Sequence, residues 1–385
     1  SLFDRLPSAT SILATVLDNG NTYHFTEYQN SHQFNFCYRD LHSKLLKCEL
    51  SVNLPVRIAH ANLYYQRMGR HDVSRQSIFF EPNIWLKGNA WEIKAKMNSE
   101  FPDLTTMVNY RDDSNPMNII LGNTQLRNIH YYDIEGGKTF EGKKHSRLNI
   151  NTGYHQTDNA VAYSLVFDKQ TGVSTVQPIS VNGNYRMDLG IGYTRPLDKK
   201  EKLSIDNQAS FNYNHNVDMA MVQGATQSQR SIVNNWKISN VLKLNYRLDD
   251  NYEFTLHGGG TYYLIKSQRE GFNNIHAGDY NIGMNAQITL PWKLQLTTDL
   301  TMFARRGYQL SEMNTTDWIW NAQLSRSFIN KKLLVKLQGF DILRQLSNTQ
   351  YLMNAQGRTE TWNNSIPRYV MLSLSWRFNV NPKKK

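Results

Sequence analysis

The 385-residue chain has two cysteines, and no apolar stretch comes near the ~18 consecutive residues that a membrane-crossing helix needs. Its densest apolar run is Ile119-Ile120-Leu121, so a helical membrane bundle is excluded. Two cysteines, Cys37 and Cys48, are too few for a disulfide framework in a chain of this size. In a strand reading Cys37 falls among polar-face residues and Cys48 in an apolar row, so two free thiols are expected. Charged residues are scarce at 19%, against a usual ~25%. What replaces them is uncharged polar side chains and aromatics: 8 Trp, 21 Tyr and 16 Phe, more aromatic surface than a disordered chain carries. The formal charge of +11 favours anionic partners, either nucleic acid or lipid headgroups. Apart from Lys383-Lys384-Lys385 and pairs such as Lys143-Lys144 and Arg305-Arg306, the basic residues are dispersed. Without a basic helical face or an aromatic RNA-binding motif, the expectation is no nucleic acid. Ser1-Leu2-Phe3-Asp4-Arg5 has neither the charged start nor the apolar core of a signal peptide.

What the sequence has in abundance is strict alternation, the signature of a strand with two unlike faces. From Lys202 to His215, Leu203, Ile205, Ala209, Phe211 and Tyr213 alternate with Ser204, Asp206, Gln208, Ser210, Asn212 and Asn214. The same pattern runs through Trp236 to Leu248, Ile282 to Leu290, Val370 to Phe378 and Leu46 to Leu54. A soluble sandwich or barrel would turn the apolar faces inward, and a transmembrane barrel would turn them to lipid. Soluble strands average about five or six residues, whereas these alternations last about ten to sixteen, the length of tilted strands that cross a bilayer. The connections also alternate. Short turns are expected at Asn330-Lys331, Pro291-Trp292, Asp249-Asp250, Asp198-Lys199-Lys200 and Lys87-Gly88-Asn89. Between them lie long polar loops near residues 347–366, 307–316, 268–277, 215–231, 101–127 and 67–76. That asymmetry is the mark of an outer-membrane barrel with extracellular long loops and periplasmic turns. Trp91, Trp236, Trp292, Trp318 and Trp376 fall near expected strand ends, where a membrane-interface girdle would put them; ordinary core aromatics are the alternative.

The fold class is therefore all-β, a transmembrane antiparallel β-barrel of the outer-membrane type. Residues 1–20 read as a leading segment or partial strand, 21–379 as barrel strands and loops, and 380–385 as a basic periplasmic tail. About nineteen spanning segments are expected between Asn21 and Phe378.

Two stretches resemble the TonB-dependent outer-membrane receptors of Bacteroidetes, in particular their outer-membrane β-barrel family. One is Asp113 to Arg127, with Asn115-Pro116, Gly122-Asn123 and Leu126 in the places of the family's Asn-Pro, Gly-Asn and Leu; Thr124 and Asn128 stand where proline is usual, which implies a less rigid loop. The other is Gly339-Phe340-Asp341-Ile342-Leu343-Arg344, followed by Arg368-Tyr369 and a closing strand ending at Trp376-Arg377-Phe378, with Arg344 where the family has Asn. The resemblance implies part of a large barrel of about 22 strands, without the family's plug domain. It further implies import of a scarce nutrient, such as a siderophore, vitamin, glycan or peptide. The implied partners are outer-membrane lipid and lipopolysaccharide, the TonB complex acting through a missing N-terminal part, and a surface lipoprotein lid. The setting would be the outer membrane of a Gram-negative bacterium. The rival reading is a plug-less passive channel, or an accessory barrel scaffolding a partner complex.

Catalytic chemistry is not expected, and neither is a cofactor or a metal. Gly136-Gly137-Lys138-Thr139 lacks the first glycine of a phosphate loop and sits in strand context. The 11 histidines show no zinc-site spacing. His42-Ser43, the one pair suited to a rim hydrolase, has no assignable third member. Arg305-Arg306 suits either lipopolysaccharide phosphates or a solvated rim. The loops near 215–231, 268–277 and 347–366 are the expected ligand-contacting surface.

Overall fold

The computed structural model describes residues 22–43, 47–221, 224–270, 272–347, 349–353, 358–363 and 366–378. Expectations for residues 1–20, 379 and the tail 380–385 lie outside the described residues. So do the side chains of His42 and Ser43 and most side chains of residues 347–366.

The alternating sequence folds as a meander. Its strands are β1 (His24–Ser43), β2 (Cys48–Gln66), β3 (Val73–Phe80), β4 (Asn83–Gly88), β5 (Trp91–Glu100), β6 (Arg111–Asp112), β7 (Asn118–Leu121), β8 (Ile129–Glu141), β9 (Arg147–Asp158), β10 (Ala160–Phe167) and β11 (Ser174–Val181). They continue as β12 (Asn184–Pro196), β13 (Leu203–Ala220), β14 (Gln229–Asp249), β15 (Tyr252–Ser267), β16 (Ile275–Leu290), β17 (Leu294–Arg306), β18 (Thr316–Phe328), β19 (Leu333–Phe340), β20 (Thr349–Met353), β21 (Arg358–Trp362) and β22 (Tyr369–Trp376). Sixteen of them form one sheet that begins at β1 and ends at β22. β3 and β4 pair with the two halves of β2, end to end, so the sheet has fifteen staves across its width. Pro82, which has no N–H to give a ladder, separates the two halves. Arg57 staples the break, donating to both oxygens of Glu81 at 2.6 and 3.0 Å, while the Ser99 N–H donates to Glu81 at 2.8 Å.

Among the described residues fifteen staves stand against the nineteen expected segments. β10 and β11 pair with each other as a hairpin outside the main sheet, and the short β6, β7, β20 and β21 lie within the long connections. The rhythm of connections is as expected. The links β4–β5, β8–β9, β12–β13, β14–β15, β16–β17 and β18–β19 are short, and the links at the opposite end are long. At the β4–β5 turn, Gly88 leaves room for the Trp91 ring, which lies where a Cβ would be.

Register turns alternation into continuous rows. Ile134, Tyr154, Met187, Tyr213, Trp236 and Leu264 are partners across six neighbouring strands on the apolar face. Among the described residues nothing packs over that face: Leu256 is 51% and Ile282 52% exposed. The accessible surface of 26122 Å² far exceeds the ~15,600 Å² of a soluble chain of this mass. A soluble sandwich would bury these rows in a core; this sheet presents them outward, as a lipid-facing wall does. Among the described residues no helix is long and apolar enough to cross a membrane.

Candidate functional site

The face opposite the lipid-suited rows carries the polar residues, and it is the lumen side. Register assembles a belt of charge there from residues 20 to 40 positions apart in sequence. Lys96 on β5 approaches Asp133 on β8 at 3.6 Å, and Asp133 meets His155 Nδ1 on β9 at 2.5 Å. His155 Nε2 faces Asp188 on β12 at 3.4 Å. Arg186 pairs with Asp188 at 2.8 Å, and the Asn212 amide on β13 donates to the same carboxylate at 2.6 Å. Gly153, with no Cβ, leaves the space that the His155 ring occupies. Within the belt Lys96, Asp133, Arg186 and Asp188 each have a neighbour of opposite sign, which favours polar solutes without selecting one charge. A recess of about 430 Å³ beside the belt is lined by Asn149, Asn151, Thr194, Asp206, Gln208 and Ser210, over Gly190 and Gly192.

At the long-loop end the lumen face is covered by its own loops. Along β2 the lumen row changes from Glu49, Ser51 and Asn53 to Ala59, Ala61 and Leu63. The change occurs where the β5–β8 connection folds inward. Leu104, Met107, Val108 and Leu126 of that connection pack with Ala61, Leu63 and Val73 in a buried cluster. Asp103 caps the short 3-10 turn Leu104–Met107 by accepting from the Thr105 N–H at 2.9 Å. Arg67, its side chain 2% exposed, pairs with Asp112 at 2.8 Å and lies over the Tyr110 ring at 4.9 Å. The hydrogen bond from the Arg67 guanidinium holds the Asp112 carboxyl down to about 2, and the same bond to Asp112 is the main cause that raises Arg67.

Three loops combine into one cap. β7 pairs in parallel with β11, and β10 is bonded on its free side to the residues that lead into β14: Phe167 N–H to Thr226 at 2.6 Å and Ser228 N–H to Leu165 at 2.7 Å. Beneath it lies a second recess of about 430 Å³, lined by Asn184, Asn216, Asp218, Ser231, Asn235 and Arg269. Two of the three loops expected to contact a ligand, near 215–231 and 268–277, contribute to it.

The motif residues are the joinery of this cap. Asn115 accepts from the Met117 N–H, and Pro116 follows it into the turn before β7. A Cβ at Gly122 would collide with the Val108 carbonyl oxygen. Asn123 donates to Pro178 at 2.8 Å and accepts from the Gln125 N–H at 2.9 Å, and Leu126 is in the buried cluster. Asn128, which stands where proline is usual, ties the loop to its surroundings by side chain and backbone. Asn128 accepts from Arg75 at 2.9 Å, donates to Ser77 at 2.9 Å and accepts on its carbonyl from Asn159 at 2.9 Å. At the other end of the chain, the buried Asp341 accepts from the Gln345 and Leu346 N–H groups at 3.0 Å, closing the turn after β19. Tyr369 stacks on Phe340 at 4.5 Å, Arg368 is an exposed residue just ahead of β22, and the exposed Phe378 lies 6.2 Å from Trp376.

Trp91, Trp292 and Trp376 sit at the short-turn end and Trp318 near the long-loop end. Trp236 lies inside β14 rather than at its end, because β13 and β14 run on beyond the neighbouring staves to reach the cap. It shares a row with Tyr213, Tyr185 and Tyr154, whose rings lie about 5 to 6 Å apart in succession. Arg305 pairs with Asp279 on β16 at 3.2 Å and lies over the Tyr308 ring at 4.5 Å, and Arg306 donates to Thr315 and Thr316 at 2.6 Å, so both guanidinium groups hold the β17–β18 loop. Gly136 to Thr139 lie in an antiparallel strand, not a phosphate loop. Both cysteines are free, Cys37 exposed and Cys48 buried. Sequence reasoning did not find the charge belt, since only the strand register brings its members together.

Among curated proteins nothing matches. A Pseudomonas aeruginosa protein titled OccK5 (OpdH) aligns over 92% of this chain and 96% of its own at 10% identity, with a TM-score of 0.25, too low to bear on the fold. Residues 226–376, from the lead into β14 to the end of β22, match the family described as "Outer membrane protein beta-barrel family". With its lipid-facing rows and antiparallel meander, the chain is a β-barrel wall of the outer membrane of a Gram-negative bacterium.

Proposed function

We propose that this chain is the barrel wall of a TonB-dependent importer, which takes up a scarce polar nutrient across the outer membrane without chemically altering it. On this reading the long loops are extracellular and the short turns periplasmic. The observation that carries it is the inward cap. A passive pore needs an open mouth, whereas here buried side chains of the β5–β8 connection rest on the lumen face of β2 and are hydrogen-bonded to two further loops. A capped mouth above a polar, charge-balanced wall suits a solute that is held before it is passed on. The Asn115-Pro116, Gly122-Asn123 and Asp341 motifs, which resemble those of the receptor family, support the same reading through the joints they make. The lipid-facing rows and the aromatic row at Trp236 fit direct contact with outer-membrane lipid.

The test is planar-bilayer conductance of the native protein, together with nutrient uptake in cells with and without an energised TonB complex. Low conductance and uptake that stops when the complex is removed are expected. A large, steady, ungated pore would replace this reading with that of a passive channel.

A further inference from the structure

The cap has two seams, one along each edge of the β10–β11 hairpin, and they are not built alike. Along the β11 edge, β7 pairs over Ser174↔Asn118, Thr175↔Ile119 and Val176↔Ile120. The same edge is fastened by the Asn123 amide, which donates to the Pro178 carbonyl at 2.8 Å, and by the Arg127 N–H, which donates to the Ser180 hydroxyl at 3.0 Å. Apolar packing backs these bonds. Pro178 is fully buried, and Val161 of the hairpin packs on the cluster of Leu104, Met107 and Leu126. Parting this edge would uncover that cluster, at a cost that grows with the apolar area exposed to water.

The β10 edge is held by polar contacts, and Ser228 carries most of them. Its N–H donates to the Leu165 carbonyl at 2.7 Å, its hydroxyl accepts from the Leu165 N–H at 2.8 Å, and the same hydroxyl lies 3.2 Å from that of Ser164. The Phe167 N–H donates to Thr226 at 2.6 Å, and the Lys169 ammonium donates to the Gly224 carbonyl at 2.7 Å. Among the described residues, neither buried apolar cluster reaches across this seam. Hydrogen bonds of this kind are exchanged for bonds to water at small net cost. Of the two edges, the β10 edge is therefore the one that gives.

The weaker seam lies over the second recess. That hollow has Ala160 and Val161 of the hairpin on one side and Val217, Met219 and Ser231 of β13 and β14 on the other. The lead 224–228 belongs to the connection that joins those two strands, so lifting it from β10 unroofs the recess while the hairpin stays on the β5–β8 connection. Inside, Thr157, Asn184, Asn216 and Asn235 offer uncharged donors and acceptors together. They suit a solute that bears hydroxyl or amide groups. We propose that the cap opens along the seam between β10 and the lead into β14, with Ser228 as the latch, and that the recess beneath is the vestibule an entering polar solute reaches first. This rests on the capped mouth described above and not on how transport is energised.

The experiment locks the seam with a disulfide in the native protein in its outer membrane. Ser164→Cys and Ser228→Cys are combined, because their hydroxyls stand 3.2 Å apart, within the reach of a disulfide. A third change, Asn216→Cys, reports from inside the recess. A membrane-impermeant maleimide added outside the cells labels it, and labelling is read peptide by peptide so that the exposed Cys37 does not interfere. Oxidation should slow labelling at 216 about tenfold or more. Reduction should return it to the rate of Asn216→Cys alone, which shows that the paired changes have not misfolded the cap. A second lock across the β11 edge, Ile120→Cys with Val176→Cys, should leave labelling unchanged. Labelling that ignores the first lock, equal slowing by the second, or no labelling of the unlocked protein would each overturn the proposal. No nutrient or TonB complex takes part, so this outcome and that of the uptake test stand apart.

Discussion

Replacing Asp112 with alanine should unfasten the cap while leaving the staves in place. Arg67 is almost wholly buried and is held by Asp112 at 2.8 Å. Removing one partner of a buried ion pair costs about 3–5 kcal/mol, mostly because the remaining charge is left without compensation. Two features reduce that figure here. Asp112 keeps 32% of its side-chain surface, so water already screens the pair. Arg67 also retains the rings of Tyr110 and Tyr23 at 4.9 and 5.9 Å, worth about 0.5–1 kcal/mol each. The expected loss is about 2–3 kcal/mol, felt locally. In hydrogen exchange of the detergent-solubilised protein, protection of residues 104–126 should fall about 30- to 160-fold. The staves, joined by long ladders such as β13–β14, should exchange as before. The double variant Arg67→Met with Asp112→Leu, apolar groups of similar size, should recover most of the protection, because it removes both charges together. A fall of less than threefold in Asp112→Ala, or an equal loss along β14 and β15, would show that the pair does not fasten the cap.

The same pair gives the cap a pH dependence. Asp112 is lowered in the folded state to about 2, so its contribution is complete above the unfolded value of ~4 and disappears as pH falls toward 2; exchange protection of residues 104–126 titrated from pH 6 to pH 2 should drop in that window and not above it. Gly122→Ala drives a Cβ into the Val108 carbonyl and should destabilise the cap by about 1–3 kcal/mol, read as faster proteolysis of the 101–128 connection with β12 to β19 intact. Arg344 holds a left-handed φ of 57° that Asn adopts more readily, so Arg344→Asn should raise the denaturation midpoint slightly; a lower midpoint would mean that the arginine makes a contact worth more than the strain it relieves. Asp188→Asn takes a charge from the middle of the lumen belt and should shift the ion selectivity of any residual conductance toward anions, measured as a reversal potential in a salt gradient.

How much of this was legible depends on the range over which each feature is encoded. Alternation is local, so the rows through Leu203 to Tyr213 and Ile282 to Leu290 and the rhythm of turns and loops could be read directly. The stave count could not, since β10 and β11 are as apolar and as strand-forming as a spanning segment and only their partners show that they form a separate hairpin. Pro82, which splits a stave, could not be read for that role from the sequence, because it takes β2 alongside to show that β3 and β4 share one position in the sheet. The motif around Gly122 was recognisable as a pattern, while its purpose, a backbone approach to Val108, lies between residues that sequence spacing does not connect. The belt from Lys96 to Asn212 was the least legible of all. Each member is an ordinary polar-face residue, and a register shift of two anywhere between β5 and β13 would dissolve it.

The cap also sets an order of events. Its parallel pairing of β7 with β11, and its bonds from β10 to Thr226 and Ser228, join segments roughly fifty to sixty residues apart. These bonds are held in register once β8, β9, β12, β13 and the start of β14 stand side by side, since those staves fix where the loops emerge. Loop closures of this span are slow compared with hairpin zipping. The mouth is therefore sealed last. During assembly there is an interval in which the wall is built and the lumen unguarded, so a cell making this protein benefits from delivering it to the membrane no faster than its caps can knit.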